Sequence, residues 1–300
     1  MVFINIEGKF NENTYLFDGK VFNVSGVLSV YIIENNDMRI MIDTPAEHYV
    51  RKFLKELQEF GLYPIHKILL THSHWDHISG TARLRKLIKE IDVEVLASEN
   101  AIGNLKLPDK VNDVYGIKVT PIENVKPLRE GDIIDLKGLR LKVLNLFGHT
   151  MDSIGILDEK NKNLFPGCAI LNRLDFKTFF SIFMPPDFNE SEQLKTFERI
   201  RNMRNNLNSI SLPHYGVWKE EDMSKLLNEM GDLYNKTKNS FIKWNQEGLS
   251  LENVALKFIE TYTPNSKSFT KENLVVVQFL VESLIKGLKL SGNIELGMTL

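Results

Sequence analysis

Hydrophobic positions in the first hundred residues fall into short apolar runs and stretches with helical spacing. Residues 27–33 and 39–42 are rich in β-branched and aromatic side chains, and the polar segment 34–37 between them predicts a β-hairpin. Apolar residues recur on one helical face from about residue 47 to 61. Lys67–Leu70 is a short apolar run of the kind found in buried strands. This order predicts alternating strands and helices.

The alternation continues to about residue 218, and long helical patterns follow it. The next predicted elements are a helix at 84–91 and strands at 93–97, 139–143, 154–157 and 163–165. Helical spacing then dominates residues 223–244 and 272–288. Since no linker composition marks the change, we predict a domain at 1–218 and a helical C-terminal extension at 219–300, without a sharp boundary.

Composition narrows the class of protein and its partners. The 300 residues are 43% hydrophobic and 25% charged, as in globular proteins. The net charge of −2 gives no support to nucleic-acid or anionic-membrane binding. A single cysteine excludes an internal disulfide and zinc sites built on paired cysteines. With no visible signal peptide and no long apolar run, we expect a cytoplasmic protein that acts on a small molecule.

Histidines are concentrated directly after the apolar run Lys67–Leu70. In an extended segment residues two apart point the same way, so His72 and His74 can bind one metal ion together. Asp76 and His77 follow at the turn into the next helix and can reach a second ion. These ligands suit Zn²⁺, with Fe, Mn or Co also possible. The alternative, a histidine-rich surface loop, is disfavoured by the preceding buried strand.

This segment resembles the H-x-H-x-D-H signature of the metallo-β-lactamase-fold hydrolases. Further segments resemble motifs of that family in order and spacing, namely 40–44 with its structural aspartate Asp43, 148–150, 164–168 and 212–216. The resemblance implies an α/β (α+β) fold, an αβ/βα four-layer sandwich with the metal site at one edge. It implies His72, His74 and His149 as ligands of a first metal. The implied ligands of a second metal are Asp76, His77 and His214.

Cys168 departs from the family pattern. Most hydrolases of this fold have a bridging aspartate at its position, whereas one subclass of zinc β-lactamases has a cysteine but lacks the histidine equivalent to His77. The site therefore resembles a hybrid of the two patterns. A thiolate keeps the charge of a carboxylate, but a single sulfur suits one metal better than two. We predict Cys168 as a terminal ligand of the second metal or a weak sulfur bridge; the alternative is a small buried apolar residue.

The resemblance and the ligand set predict a zinc-dependent hydrolase. One or two zinc ions would supply a metal-bound hydroxide that attacks a carbonyl-centred bond in a lactone, thioester, ester or β-lactam. Asp76 would be catalytic, holding the hydroxide and relaying a proton, while Tyr215 would donate to the oxyanion or simply pack. Two alternatives are a mononuclear iron oxygenase of the persulfide dioxygenase type and a non-catalytic metal-dependent sensor. Phosphodiester cleavage ranks lower, because nuclease members of this fold are longer and more basic.

Four features outside the motifs remain open at this stage. An aromatic cluster favours core packing over a pocket wall; its members are Phe176, Phe179, Phe180, Phe183 and Met184. Segment 104–116 suits either a lid or a surface connection, and residues 293–296 a short wing. The C-terminal helices could cover the pocket, form a homodimer or add stability. The sequence assigns no substrate-binding residue.

Overall fold

The computed structural model of the chain describes residues 3–175 and 177–294. In chain order the strands are β1 (Phe3–Ile4), β2 (Gly8–Lys9), β3 (Thr14–Asp18), β4 (Ser29–Asn35), β5 (Met38–Ile42), β6 (Lys67–Leu70), β7 (Glu94–Ser98), β8 (Val125–Leu128), β9 (Ile133–Leu136), β10 (Leu139–Asn145), β11 (Ile154–Asp158), β12 (Asn163–Phe165), β13 (Asn172–Arg173), β14 (Phe179–Phe180), β15 (Ser209–Ser211) and β16 (Val217–Lys219). The α-helices are α1 (Val50–Glu59), α2 (Trp75–Ile78), α3 (Thr81–Leu87), α4 (Ile102–Lys106), α5 (Asp109–Asn112), α6 (Glu190–Met203), α7 (Glu220–Gln246), α8 (Leu251–Tyr262) and α9 (Leu274–Leu290).

Two seven-stranded sheets form the centre of the molecule. The N-terminal sheet has the order β2-β3-β4-β5-β6-β7-β8, and the C-terminal sheet the order β1-β16-β15-β12-β11-β10-β9. Strands β5 to β8 run parallel, as do β12 and β15. Parallel neighbours end at the same edge of a sheet, so the loops that follow them meet there.

Alternating side chains build the layers. Along β6, Ile68 and Leu70 pack against α1 and α3, while Leu69 lies in the core between the sheets. Because both faces are buried, these strands read as continuous apolar runs in the sequence. The C-terminal sheet packs its outer face against α6 to α9. Helix, sheet, sheet and helix form the predicted αβ/βα four-layer order, and the α/β fold class is confirmed.

Most predicted elements form close to their expected positions. The hairpin at 34–37 turns through Asn36 and Asp37, whose positive φ values of 49° and 62° suit a two-residue turn. The predicted helix at 84–91 is wrong at its end. It stops at Leu87, because buried Ile88 is already extended and leads the chain back to β7. Helices α6 and α8 were not predicted.

The C-terminal helices share one apolar core with the C-terminal sheet. Trp218 of that sheet lies in the same cluster as Leu226, Phe258 and Leu284 of α7, α8 and α9. The boundary near 218 and the homodimer stay predictions. Within the described ranges, no helix is long and apolar enough to cross a membrane. Phe176 and half of the predicted wing, residues 295–296, lie outside the described residues.

Candidate metal centre

The predicted ligands follow the carboxyl ends of four strands. His72 to His77 come after β6, His149 after β10, Cys168 after β12 and His214 after β15. Cys168 lies in a 3-10 turn, Gly167–Ala169, rather than on the strand itself. Thr71 accepts a bond from the backbone N–H of Ile154 at 2.9 Å, which ties the two sheets together beside these loops. The fold therefore brings side chains from distant parts of the chain to one edge.

Three histidines form the first half of the cluster. The ring centroids of His72, His74 and His149 lie 4.7 to 4.9 Å from one another, and all three side chains are buried. Nδ1 of His74 lies 3.0 Å from Nε2 of His149. Nε2 of His72 is buried and has no hydrogen-bond partner among the described residues. Buried polar atoms normally have a partner, so this atom fits a metal-ligand position.

The second half joins Asp76, His77, Cys168 and His214. Sγ of Cys168 lies 3.4 Å from Nε2 of His77 and 3.2 Å from Nε2 of His214. Oδ2 of Asp76 lies 3.5 and 3.8 Å from the same two nitrogens. Cys168 also lies within 4.8 Å of the ligand atoms of His72 and His149, so its sulfur is shared by both halves. All seven predicted ligands thus gather in one place.

These spacings fit ligands of a common ion. Tetrahedral zinc separates two nitrogen ligands by about 3.3 Å, and a nitrogen from a sulfur by about 3.5 Å, given its bond lengths. The nitrogen pair at 3.0 Å and the nitrogen–sulfur pairs at 3.2 and 3.4 Å are close to these values. Two imidazole lone pairs facing each other repel unless a proton or cation lies between them. The donor set therefore fits divalent metal.

Hydrogen bonds to Nδ1, the ring nitrogen that faces away from the cluster, fix the tautomer of three imidazole rings. Nδ1 of His77 donates to Oδ2 of Asp43 at 2.8 Å, and Nδ1 of His214 donates to the carbonyl of Val27 at 2.8 Å. Nδ1 of His72 donates to Oγ1 of Thr71 at 3.1 Å, and that hydroxyl donates to Asp43 at 2.9 Å. With the proton on Nδ1, each Nε2 keeps the lone pair that a metal needs.

Burial and neighbouring charges shift the titration of the cluster. Burial lowers the pKa of His74 well below its ordinary value, and the adjacent His149 and His72 lower it further. Burial raises the pKa of the Cys168 thiol, but His214 and His77 outweigh this and hold it well below its ordinary value. A neutral imidazole and a thiolate are the forms that bind metal.

Three residues that the sequence analysis did not single out hold these loops. Asp152 accepts hydrogen bonds from Ser73, Thr150 at 2.6 Å and Asn104 at 3.0 Å. Gln193 of α6 donates to the carbonyl of Ala169 at 2.6 Å, next to Cys168. A Cβ on Gly148 would lie 2.3 Å from Cα of Gln193, so this position next to His149 requires glycine.

Tyr115 is the third of these residues. The His74 ring, with Nδ1 free to bind metal, carries its proton on Nε2, which lies 3.4 Å from Oη of Tyr115. That hydroxyl donates to the carbonyl of Pro185. Burial, with the charges of Asp76 and Asp187, raises the pKa of Tyr115 well above its ordinary value, so it stays a neutral donor. In the sequence, nothing distinguishes Tyr115 from the rest of segment 104–116.

The sequence profile of the metallo-beta-lactamase superfamily matches residues 26–214. The chain belongs to the metallo-beta-lactamase superfamily. A probable metallo-hydrolase of Methanocaldococcus jannaschii is 28% identical over 203 residues, which are 65% of this chain and 84% of that protein. Hydroxyacylglutathione hydrolase 2 of Vibrio vulnificus is 26% identical over 136 residues, 43% of this chain and 42% of that protein.

A solved structure shows how far the superfamily fold extends. The metallo-beta-lactamase family protein of Thermus thermophilus superposes with a TM-score of 0.66 at 17% identity, covering 94% of this chain and 95% of that one. The superfamily membership and the metallo-hydrolase relative confirm the prediction of a metal-dependent hydrolase. The identity of the metal, the number of ions and the role of each ligand stay predictions.

A cleft that is partly open to solvent lies above the ligand cluster. Phe180 and Met184 line this cleft, whereas Phe179 and Phe183 pack in the core. The predicted aromatic cluster therefore contributes both to core packing and to a pocket wall. Tyr215 is buried between the sheets and does not line the cleft. Segment 104–116 contains the end of α4, all of α5 and the 3-10 turn Asp113–Tyr115, which brings Tyr115 into the cleft wall.

Proposed function

We propose that the protein is a zinc-dependent hydrolase that cleaves a thioester. The observation that carries the proposal is the cluster of seven potential ligands, with Cys168 shared between its halves, at the floor of a cleft. The choice of a thioester is supported by the similarity to a hydroxyacylglutathione hydrolase, because an acylglutathione is a thioester. Lactones, esters and β-lactams share the attacked carbonyl and are the compounds to compare.

Zinc is proposed because of the donor set. A thiolate beside imidazoles is typical of zinc sites, and a purely carboxylate site would favour harder ions. When bound, divalent zinc lowers the pKa of water and polarises a carbonyl oxygen. The residues around it then have to hold it, orient the reactants and move protons.

Asp76 is the residue suited to proton transfer. The Asp76 side chain is 18% exposed, so its carboxylate is open to the cleft while it lies beside His77 and His214. A carboxylate there can orient the attacking water and carry its proton to the leaving thiolate. The imidazoles of His72, His77 and His214, fixed through Nδ1, would serve as ligands and not as acid or base.

The proposal is tested by assay and metal analysis together. Zinc per chain is measured, and hydrolysis of a thioester, a lactone, an ester and a β-lactam is followed before and after chelation. We expect thioester turnover that chelation abolishes and zinc restores. His72→Ala should remove most of this turnover. His48→Ala, which changes an exposed histidine away from the cluster, should leave it unchanged. Thioester turnover that survives exhaustive chelation would contradict the proposal.

A further inference from the structure

The cleft above the ligand cluster has apolar walls contributed by distant parts of the chain. Phe279 of α9 lies 5.5 Å from Phe22, 6.1 Å from Trp75 and 6.3 Å from Tyr115, measured between ring centroids. Phe22 and Trp75 are themselves 5.2 Å apart. An aromatic wall therefore forms where the C-terminal helix meets the loops of the catalytic sheets.

The backbone that carries Phe22 is strained. Phe22 lies in the 3-10 turn Val21–Asn23 with a positive φ of 52°, and its neighbours Lys20 and Asn23 also have positive φ values of 55° and 59°. A bulky side chain rarely adopts this conformation, and such strain is found mainly at functional sites. Yet 43% of Phe22 remains exposed, so core packing does not account for the conformation. The strain directs a large apolar ring to the mouth of the cleft.

The charged groups of the cleft are confined to its floor. Among the described residues that line it, the acidic and imidazole side chains all belong to the ligand cluster, and none is a lysine or arginine. The upper wall is apolar, built from residues such as Ile182, Met184, Val276 and Leu280. Because the upper wall has no lysine or arginine, a carboxylate or phosphate held against that wall, away from the floor, would lose its hydration without compensation.

We propose that this cleft binds the apolar acyl group of the thioester, with α9 as the wall that selects it. The proposal rests on the thioesterase function proposed above. Natural thiol carriers are polar and large, so the acyl group is the part of the substrate that matches an apolar chamber. The carrier then extends through the mouth into solvent, and the carbonyl meets the floor. Burial of the acyl chain supplies binding free energy in proportion to the apolar area removed from water.

Helix α9 offers a matched pair of positions for testing this role. Val276 lines the cleft, while the adjacent Val275 faces solvent with 78% of its surface exposed. Both are valines in the first turn of the same helix, so truncation of either has the same effect on helix propensity. A difference between the two variants therefore reports contact with the substrate.

The experiment measures kcat/KM of the zinc-loaded protein for acetyl, butyryl, hexanoyl and octanoyl thioesters of N-acetylcysteamine. We expect kcat/KM to rise by up to about fourfold for each added methylene until the cleft is filled. Val276→Ala and Phe279→Ala should lower the ratio of octanoyl to acetyl kcat/KM by about tenfold each. Val275→Ala should leave the ratio unchanged. Hydrolysis of the acetyl thioester without a rise along the series would overturn the acyl-cleft proposal and leave the thioesterase function standing.

A binding measurement covers the case in which no thioester is hydrolysed, which would contradict the proposed function. Calorimetric titration of the zinc-loaded protein with butyrate, hexanoate and octanoate uses product-like carboxylates and requires no turnover. Affinity that rises with chain length, and falls for octanoate in Phe279→Ala, supports the apolar cleft. Equal affinity for butyrate and octanoate would refute it.

Discussion

Asp43→Asn tests whether the carboxylate behind the cluster holds His77 as a metal ligand. Oδ2 of Asp43 accepts from Nδ1 of His77 at 2.8 Å and from Oγ1 of Thr71 at 2.9 Å, and Oδ1 accepts from the N–H of Thr71 at 2.8 Å. Asparagine has the same shape, and it tolerates the positive φ of 57° at this position. The substitution therefore changes the hydrogen bonding and leaves the backbone conformation in place.

The expected loss of zinc affinity follows from the acceptor that the substitution removes. An amide at this position keeps one acceptor oxygen, so its NH₂ group must face a donor. If it faces His77, Nδ1 has to accept, and the ring proton moves to Nε2, the atom that a metal needs. Loss of such an outer contact weakens metal binding about 10- to 100-fold, which is about 1.4 to 2.8 kcal/mol.

The assay is a zinc titration against a chelating indicator, compared between the parent protein and the variant. Asp158→Asn is the matched control. Asp158 is also fully buried and accepts three bonds, from the N–H groups of Lys160 at 3.1 Å and Asn161 at 3.0 Å and from the Asn161 amide at 2.7 Å, but it lies at the β11–β12 turn. It should lower stability without changing zinc affinity. Zinc affinity of Asp43→Asn within twofold of the parent would show that Asp43 does not hold His77 as a zinc ligand.

Four further predictions concern stability. A Cβ on Gly287 of α9 would lie 1.6 Å from the carbonyl oxygen of Phe183, so Gly287→Ala should destabilise the protein by about 1–3 kcal/mol. A Cβ on Gly231 of α7 would meet no atom within 4 Å apart from the backbone of its own helix, so Gly231→Ala should stabilise the protein by about 1 kcal/mol. Urea titration measures both variants. A change of the same sign in the two would show that the contact with Phe183 does not decide the effect at Gly287. Burial raises the pKa of Glu190, but hydrogen bonds from Lys238, Tyr234 and Asn293, with the charge of Lys238, outweigh burial, and the net pKa is lowered. Glu190→Gln should therefore lower stability at pH 7, with a difference that disappears as the pH falls through the carboxyl pKa. A pH-independent difference in urea midpoint would exclude this cause. Chelation should lower the melting temperature, since ligands that bind the folded state stabilise it, and an unchanged melting temperature would mean that no metal is bound.

The ligand cluster was predictable because its chemistry is concentrated in short motifs. His72 to His77 are contiguous, and extended geometry alone indicates that His72 and His74 share an ion. His149, Cys168 and His214 carry no such local signal, and their assignment depended on resemblance to a family. Their meeting requires the parallel register of β12 and β15 and the close contact of the two sheets.

Hydrophobic spacing did not predict a helix whose buried face carries polar side chains that form hydrogen bonds. Helix α6 was not predicted because Gln193 and Thr196 lie on its inner face, where hydrophobic spacing would require apolar side chains. The structure explains both. Gln193 donates to the carbonyl of Ala169, and Thr196 donates to that of Phe147 at 2.7 Å, so both bind loops next to ligands. Periodicity cannot reveal such partners, because they are more than 20 residues away in the chain.

The role of Tyr115 was equally hidden. Its contact with His74 joins residues 41 positions apart, and its second contact, with Pro185, spans 70 positions. The sequence around it predicts only a connection between elements. The apolar cleft has the same origin, because Phe22, Trp75 and Phe279 are distant in the sequence and meet only where α9 packs against the loops that carry the other two.

Cys168 is predicted to belong to a metal centre together with the histidines. Cobalt(II) substituted for zinc reports this directly, because a thiolate ligand produces a sulfur-to-cobalt charge-transfer band in the near ultraviolet. Cys168 is the only cysteine of the chain, so no other thiol can contribute. We predict the band in the cobalt-loaded parent protein and its loss in Cys168→Ser. A parent protein that binds cobalt without this band, or a band that persists in Cys168→Ser, would show that the Cys168 thiolate is not a metal ligand.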